Sequence, residues 1–132
     1  MSARVIVVLA GVVGFTGVLA GAFGAHGLEG RGVSEEALGW WETGARYHLI
    51  HGVALLGVGL LALHRPGGLA TAAAVAFVFG VVVFAGTLYA MTLGGPRWLG
   101  AVTPIGGLGL MAGWVLTAAA ALGGTRGVGS GG

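Results

Sequence analysis

Four long apolar stretches constrain this chain more than any other feature of it. Residues 5–24, 69–93 and 104–122 contain no charged side chain, and 45–63 holds only Arg46, at its start. A helix crossing the hydrocarbon core of a bilayer needs roughly 20 such residues. Backbone N–H and C=O groups must be satisfied within the segment there, so each stretch is expected as a helix. Composition supports lipid as the solvent: 56% of the 132 residues are hydrophobic and 8% charged, against about 25% charged in a soluble domain. The fold expected is all-α: a polytopic membrane protein with four transmembrane helices at about 5–24, 45–63, 69–93 and 104–122. They form a single domain over 1–122, followed by a flexible Gly-rich tail at 123–132.

The connections carry their own signals. Ser34-Glu35-Glu36 reads as an N-cap followed by acids in a first helical turn, which favours the helix dipole. Leu38, Trp41 and Ala45 recur at helical spacing, so a short interfacial helix is expected between the first two spans. Glu42 and Arg46 stand at i, i+4 as an orienting pair. His64-Arg65-Pro66-Gly67-Gly68 and Gly94-Gly95-Pro96 mark turns. Thr103 is expected as an N-cap with Pro104 as the first helical residue, in preference to a helix that starts near Trp98 and kinks. The first stretch also fits a signal peptide. The three- and four-residue recurrence of Gly11, Gly14, Gly17, Gly21 and Gly24 argues instead for a retained packing helix.

Thirty glycines lie mostly within the Val/Leu/Ala runs. Lipid gives apolar helices no hydrophobic drive toward one another, and small residues let backbones approach. Gly14, Gly17 and Gly21, and Gly106, Gly109 and Gly113, are expected as close-contact seams.

Function classes are narrowed by what is missing. There is no cysteine and no aspartate, hence no thiolate ligand or thiol nucleophile. No paired carboxylates, triad or phosphate loop is present, and an enzyme is not expected. Six arginines spread along the chain are not a clustered basic stripe, so nucleic acid is not an expected partner. Arg4, Arg65 and Arg126 would share one membrane side and Arg31, Arg46 and Arg97 the other. The positive-inside count is thus even, and a multi-pass cell (inner or plasma) membrane protein with both termini cytoplasmic is the expectation.

Four spans bring the ends of the first and third helices to the starts of the second and fourth. That face collects His26, Arg46, Tyr47, His48, His51, Tyr89 and Thr103 as a candidate polar site, beside the interfacial tryptophans Trp40, Trp41 and Trp98. His48 is expected within about one turn of the boundary and His51 deeper. Imidazoles are common metal ligands, but hydrogen-bonded packing is the favoured explanation, with no metal or cofactor. Trp114 is expected as a packing residue or lipid-facing filler.

The motifs Gly21-Ala22-Phe23-Gly24-Ala25-His26-Gly27, Thr43-Gly44-Ala45-Arg46-Tyr47-His48-Leu49-Ile50-His51, Phe84-Ala85-Gly86-Thr87-Leu88-Tyr89 and Thr103-Pro104-Ile105-Gly106-Gly107, with Gly113-Trp114, occur in this order. In this the chain resembles the YgdD/YwdK-like family of small bacterial membrane proteins, domain-of-unknown-function family 423, to which an animal transmembrane family is related. The resemblance implies several spans in an inner membrane and no particular reaction. The expected role is an accessory protein in the bilayer. Its His26/His51 face would bind lipid, a further copy of the chain or a larger membrane protein. The alternative is an oligomeric channel or transporter with that face as vestibule.

Overall fold

The computed structural model describes residues 1–123. The expected tail therefore lies, apart from Gly123, outside the described residues. Four helices follow one another: α1 (Ala3–His26), α2 (Glu35–His64), α3 (Gly68–Thr92) and α4 (Thr103–Leu122), with a 3₁₀ turn at Arg97–Ala101 ahead of α4. All are long and apolar enough to cross a membrane. The shortest, α4, has 20 residues, about 30 Å at 1.5 Å per residue.

Local chemistry sets the boundaries. The Ser2 hydroxyl accepts from the Val5 N–H at 3.3 Å and opens α1. Ser34 accepts from the Ala37 N–H at 3.2 Å and opens α2, with Glu35 and Glu36 in its first turn. The interfacial helix expected from Leu38, Trp41 and Ala45 is not separate. It forms the first turns of a continuous 30-residue α2, because no proline interrupts the run and its apolar stripe continues inward. Past Thr92, the Gly94 N–H reaches the Met91 carbonyl and the Gly95 N–H the Ala90 carbonyl (3.2 and 2.8 Å). Gly94 takes φ 103°, a conformation open to glycine at little cost.

Thr103 does not cap α4. The cap position is Val102, Thr103 is already helical, and its hydroxyl turns back onto the Leu99 carbonyl at 3.2 Å. Backbone carbonyls stand in for a capping side chain, Val102 accepting from the Ile105 N–H and Leu99 from the Val102 N–H, both at 2.9 Å, and Pro104 sits in the first turn of α4 as tolerated there.

The helices pack in chain order. α1 lies on α2, α2 on α3 and α3 on α4, while among the described residues α1 and α4 share no contact. The core runs through Ile6, Leu55, Val58, Phe77, Val81 and Leu110. Glycines mark the crossings. A Cβ on Gly17 would meet Leu49 and His48 at 3.0–3.3 Å, and one on Gly52 the backbone of Gly14 at 3.2 Å. Gly109 sits 2.9 Å from the Phe79 ring and Gly113 2.5 Å from that of Phe77 by the same measure, and Gly106 lies directly on the Phe84 backbone. A Cβ on Gly14 or on Gly21 would meet nothing within 4 Å; Gly14 takes part in the seam only through its backbone beneath Gly52, and Gly21 faces away from it. Gly44, Gly59 and Gly80, which no GxxxG pair marks, lie at crossings onto Tyr89, Val7 and Leu110.

Candidate functional site

Two histidines of α2 organise the polar interior. His48, 8% exposed, reaches in both directions. Its Nε2 lies 3.0 Å from Thr16 Oγ1 on α1 and its Nδ1 3.0 Å from the Tyr89 hydroxyl on α3. Thr16 donates its one proton to the Val12 carbonyl at 2.8 Å. The consistent assignment then has Nε2–H donating to Thr16 and the Tyr89 O–H donating to Nδ1. A hydrogen-bonded chain thus crosses from α3 through α2 to α1.

His51, 4% exposed, is one turn further on. Its Nδ1–H donates to the Tyr47 carbonyl at 2.7 Å, and its Nε2 accepts from the Trp114 indole N–H at 3.1 Å. The tautomer follows from the partners, since a carbonyl only accepts and an indole N–H only donates. The Tyr47 ring stacks on His51 at 5.9 Å, and the Phe77 and Trp114 rings meet it at 5.5 and 5.9 Å. Trp114 is therefore more than packing or filler. It is half exposed, but its N–H ties α4 to α2, and a buried indole N–H needs such a partner.

The seven residues expected at one site separate. His48 and Tyr89 form one cluster and Tyr47 and His51 another. Thr103 pairs instead with Thr87 of α3, their hydroxyls 2.6 Å apart. His26, the last residue of α1, and Arg46 are exposed. Glu42, expected to orient against Arg46, is exposed as well. His48 lies near the middle of α2 and opposite Thr16 in mid-α1, rather than within a turn of a helix start, because α2 begins at Glu35. Trp41 is not interfacial but buried, its indole N–H on the Ala20 carbonyl at 2.7 Å and its ring 4.3 Å from that of Tyr89. Trp98 is 66% exposed, and Arg97 stacks over Trp40 at 5.7 Å.

Sequence reasoning passed over Thr16 and Trp114 as site residues. The signal for both was present: a hydroxyl and an indole N–H inside apolar spans, each in need of a partner. Among the described residues no group of three or more His, Cys, Asp or Glu forms a metal-binding set. Both nitrogens of His48 and of His51 are engaged by protein groups.

Beside His51 the surface between α2 and α4 opens into a groove of about 570 Å³, lined by Tyr47, His51, Phe84, Pro104, Met111 and Trp114 among others. Its walls are aromatic and aliphatic, with the Tyr47 hydroxyl and the His51 ring as its polar points.

Comparison with known proteins agrees with the architecture. A family model described as "Protein of unknown function (DUF423)" matches residues 20–107. The chain is similar to the UPF0382 membrane protein YwdK of Bacillus subtilis, 37% identical over 121 residues, 90% of this chain and 97% of that protein. A UPF0382 membrane protein of Staphylococcus epidermidis is 39% identical over 119 residues, 90% of this chain and 96% of its own length. The UPF0382 inner membrane protein YgdD of Escherichia coli is 35% identical over 116 residues, 88% of each chain. No solved structure matches. With four apolar helices long enough to cross a bilayer and relatives aligned over nearly all of its length, the chain belongs to the DUF423 family of membrane proteins.

Proposed function

We propose that the protein is an accessory component of the membrane that binds a lipid or a partner's helix in the groove between α2 and α4, without catalysing a reaction. One observation carries this reading: the groove at Tyr47, His51 and Trp114 is apolar, about 570 Å³, and open among the described residues. Binding sites take this form, an apolar hollow with a few convergent polar groups. Lipid chains fill such a groove by default, and an occupant with one hydrogen-bonding group would gain at the Tyr47 hydroxyl. The absence of cysteine and aspartate from the sequence supports a binding role over a catalytic one. Both termini are placed in the cytoplasm as part of the same proposal.

A photoactivatable amino acid at Met111 tests it. In native membranes, adducts with one lipid class or one protein are expected there, and few from Val82, an exposed position on a different helix, α3, outside the groove. Equal, indiscriminate adducts from the two positions would remove the groove as a site.

The competing reading is an oligomeric channel or transporter. Its specific support is the buried chain Thr16–His48–Tyr89, because polar residues inside spans often line solute paths. That chain runs across the helices rather than along them, and among the described residues α1 and α4 do not meet to close a ring, so a path would have to form between copies. Ion or solute flux in liposomes that His51→Ala abolishes would establish the channel in place of the binding protein.

A further inference from the structure

The groove between α2 and α4 has a chemistry narrow enough to choose among lipids. Four ring systems line it: Tyr47 and His51 from α2, Phe84 from α3 and Trp114 from α4. The Tyr47 and His51 rings lie nearly parallel, at 9°, while Tyr47 meets Phe84 at 4.7 Å and His51 meets Trp114 edge-on. Such walls favour a flat occupant, which stacks on them as an acyl chain cannot. The polar groups are nearly all engaged. One His51 nitrogen is held by the Tyr47 carbonyl and the other by the indole N–H of Trp114. The hydroxyl of Tyr47, a residue 41% exposed, is left as the open hydrogen-bonding group of the groove. No Arg, Lys, Asp or Glu is among the lining residues. A charged headgroup placed there would give up its water and find no counter-charge, so the groove selects a neutral group. A phenol O–H is matched by a carbonyl oxygen.

We infer that the groove takes the ring of an isoprenoid quinone, with a ring carbonyl accepting from the Tyr47 hydroxyl. This rests on the groove being a binding site, as proposed above, and adds the class of lipid. Placement along the span agrees with it. The Tyr47 ring packs on Phe84, whose backbone lies under Gly106 in the first turn of α4. Trp114 is about 12 Å further along that helix at 1.5 Å per residue. The polar point is therefore nearer the end of the span and the apolar floor runs inward, the order in which a ring and its tail would lie. Leu108, Met111 and Val115, at 64%, 64% and 69% exposure, would border the tail on the lipid side. An electron-poor quinone ring also suits the electron-rich faces of tyrosine and indole. Binding alone is inferred, with no electron transfer.

Tryptophan fluorescence of the full chain in lipid nanodiscs tests this, because a quinone quenches an indole that it touches. Decyl-ubiquinone is titrated into the parent and into Trp114→Phe, in which Trp40, Trp41 and Trp98 remain to report unspecific quenching. The difference between the two, the signal of Trp114, is expected to saturate at a low ratio of quinone to lipid. Tyr47→Phe keeps its ring and should weaken the saturable binding about fivefold, the effect of one lost hydrogen bond. Gly107→Leu fills the groove from its floor. A Cβ there meets only the Phe84 ring, at 3.8 Å, so the fold is kept: the saturable quenching should vanish with the unfolding midpoint preserved. Decylbenzene, which has the tail and no carbonyl, should not displace the quinone. Quenching that never saturates, that is undiminished in Tyr47→Phe, or that decylbenzene reverses would each overturn the quinone. If Met111 adducts still concentrated on one phospholipid, the groove would stand as a site for another lipid class. Indiscriminate adducts would remove the groove itself.

Discussion

At the scale of single residues, His48 and His51 do different work. His48 ties three helices through two hydroxyls, and His51 ties α2 to α4 through one indole. Interhelical hydrogen bonds in membrane proteins contribute about 0.6 kcal/mol on average and up to about 1.7. Tyr89→Phe removes one donor to His48, and Thr16→Val removes its acceptor on the other side. Each is expected to lower stability by about 1 kcal/mol. The two losses should fall short of adding, since both act through one imidazole. A double-mutant cycle on unfolding in detergent measures this, and strict additivity would contradict a shared chain. Trp114→Phe keeps an aromatic ring beside Phe77 but removes the indole N–H together with part of the ring. It leaves Nε2 of His51 without its donor and should cost about 1 kcal/mol as well. A variant as stable as the parent would show that the indole bond adds nothing.

At the scale of elements, the glycines divide in a way that spacing does not. Gly17–Gly21 and Gly109–Gly113 are the same GxxxG pattern, but Gly21 faces open space while Gly17, Gly109 and Gly113 lie against side chains of the next helix. Gly106→Ala would push a methyl into the Phe84 backbone, which cannot rotate aside. A loss of about 1–3 kcal/mol is expected. Gly21→Ala meets nothing, and replacing a mid-helix glycine with alanine should leave stability unchanged or raise it by up to about 1 kcal/mol. Unfolding midpoints of the two variants decide the matter, and comparable losses in both would show that the α1 seam runs through Gly21 after all. The continuous α2 is likewise an outcome at this scale. The Leu38, Trp41 and Ala45 spacing foretold a helix but not its fusion with the span, because Trp41 is drawn inward by the Ala20 carbonyl rather than left at the surface.

At the scale of the molecule, four spans put Gly30 and Gly95 on one side of the bilayer and Gly67 on the other. Single cysteines at these positions are expected to react with an impermeant thiol reagent accordingly. Gly67→Cys should be shielded in intact cells if both termini are cytoplasmic. Reaction of Gly30→Cys and Gly95→Cys from opposite compartments would break the even number of crossings. Packing in chain order leaves α1 and α4 as flanks without mutual contact, each with broad apolar surface for lipid or a further copy.

Much of this architecture was legible in the sequence, and the arrangement within it was not. Runs of twenty apolar residues, the serine ahead of α2, and glycine-proline turns sufficed for four helices, because the bilayer penalises any unsatisfied backbone and local residues answer that demand. The pairings of His48 with Thr16 and Tyr89, and of His51 with Trp114, depend on which face of each helix turns inward. In a soluble protein the alternation of polar and apolar residues would reveal that face. Here lipid is as apolar as the core, so Val5 at the lipid and Ile6 in the interior look alike in sequence. Only the packed helices, by bringing distant donors and acceptors within 3 Å, distinguish them.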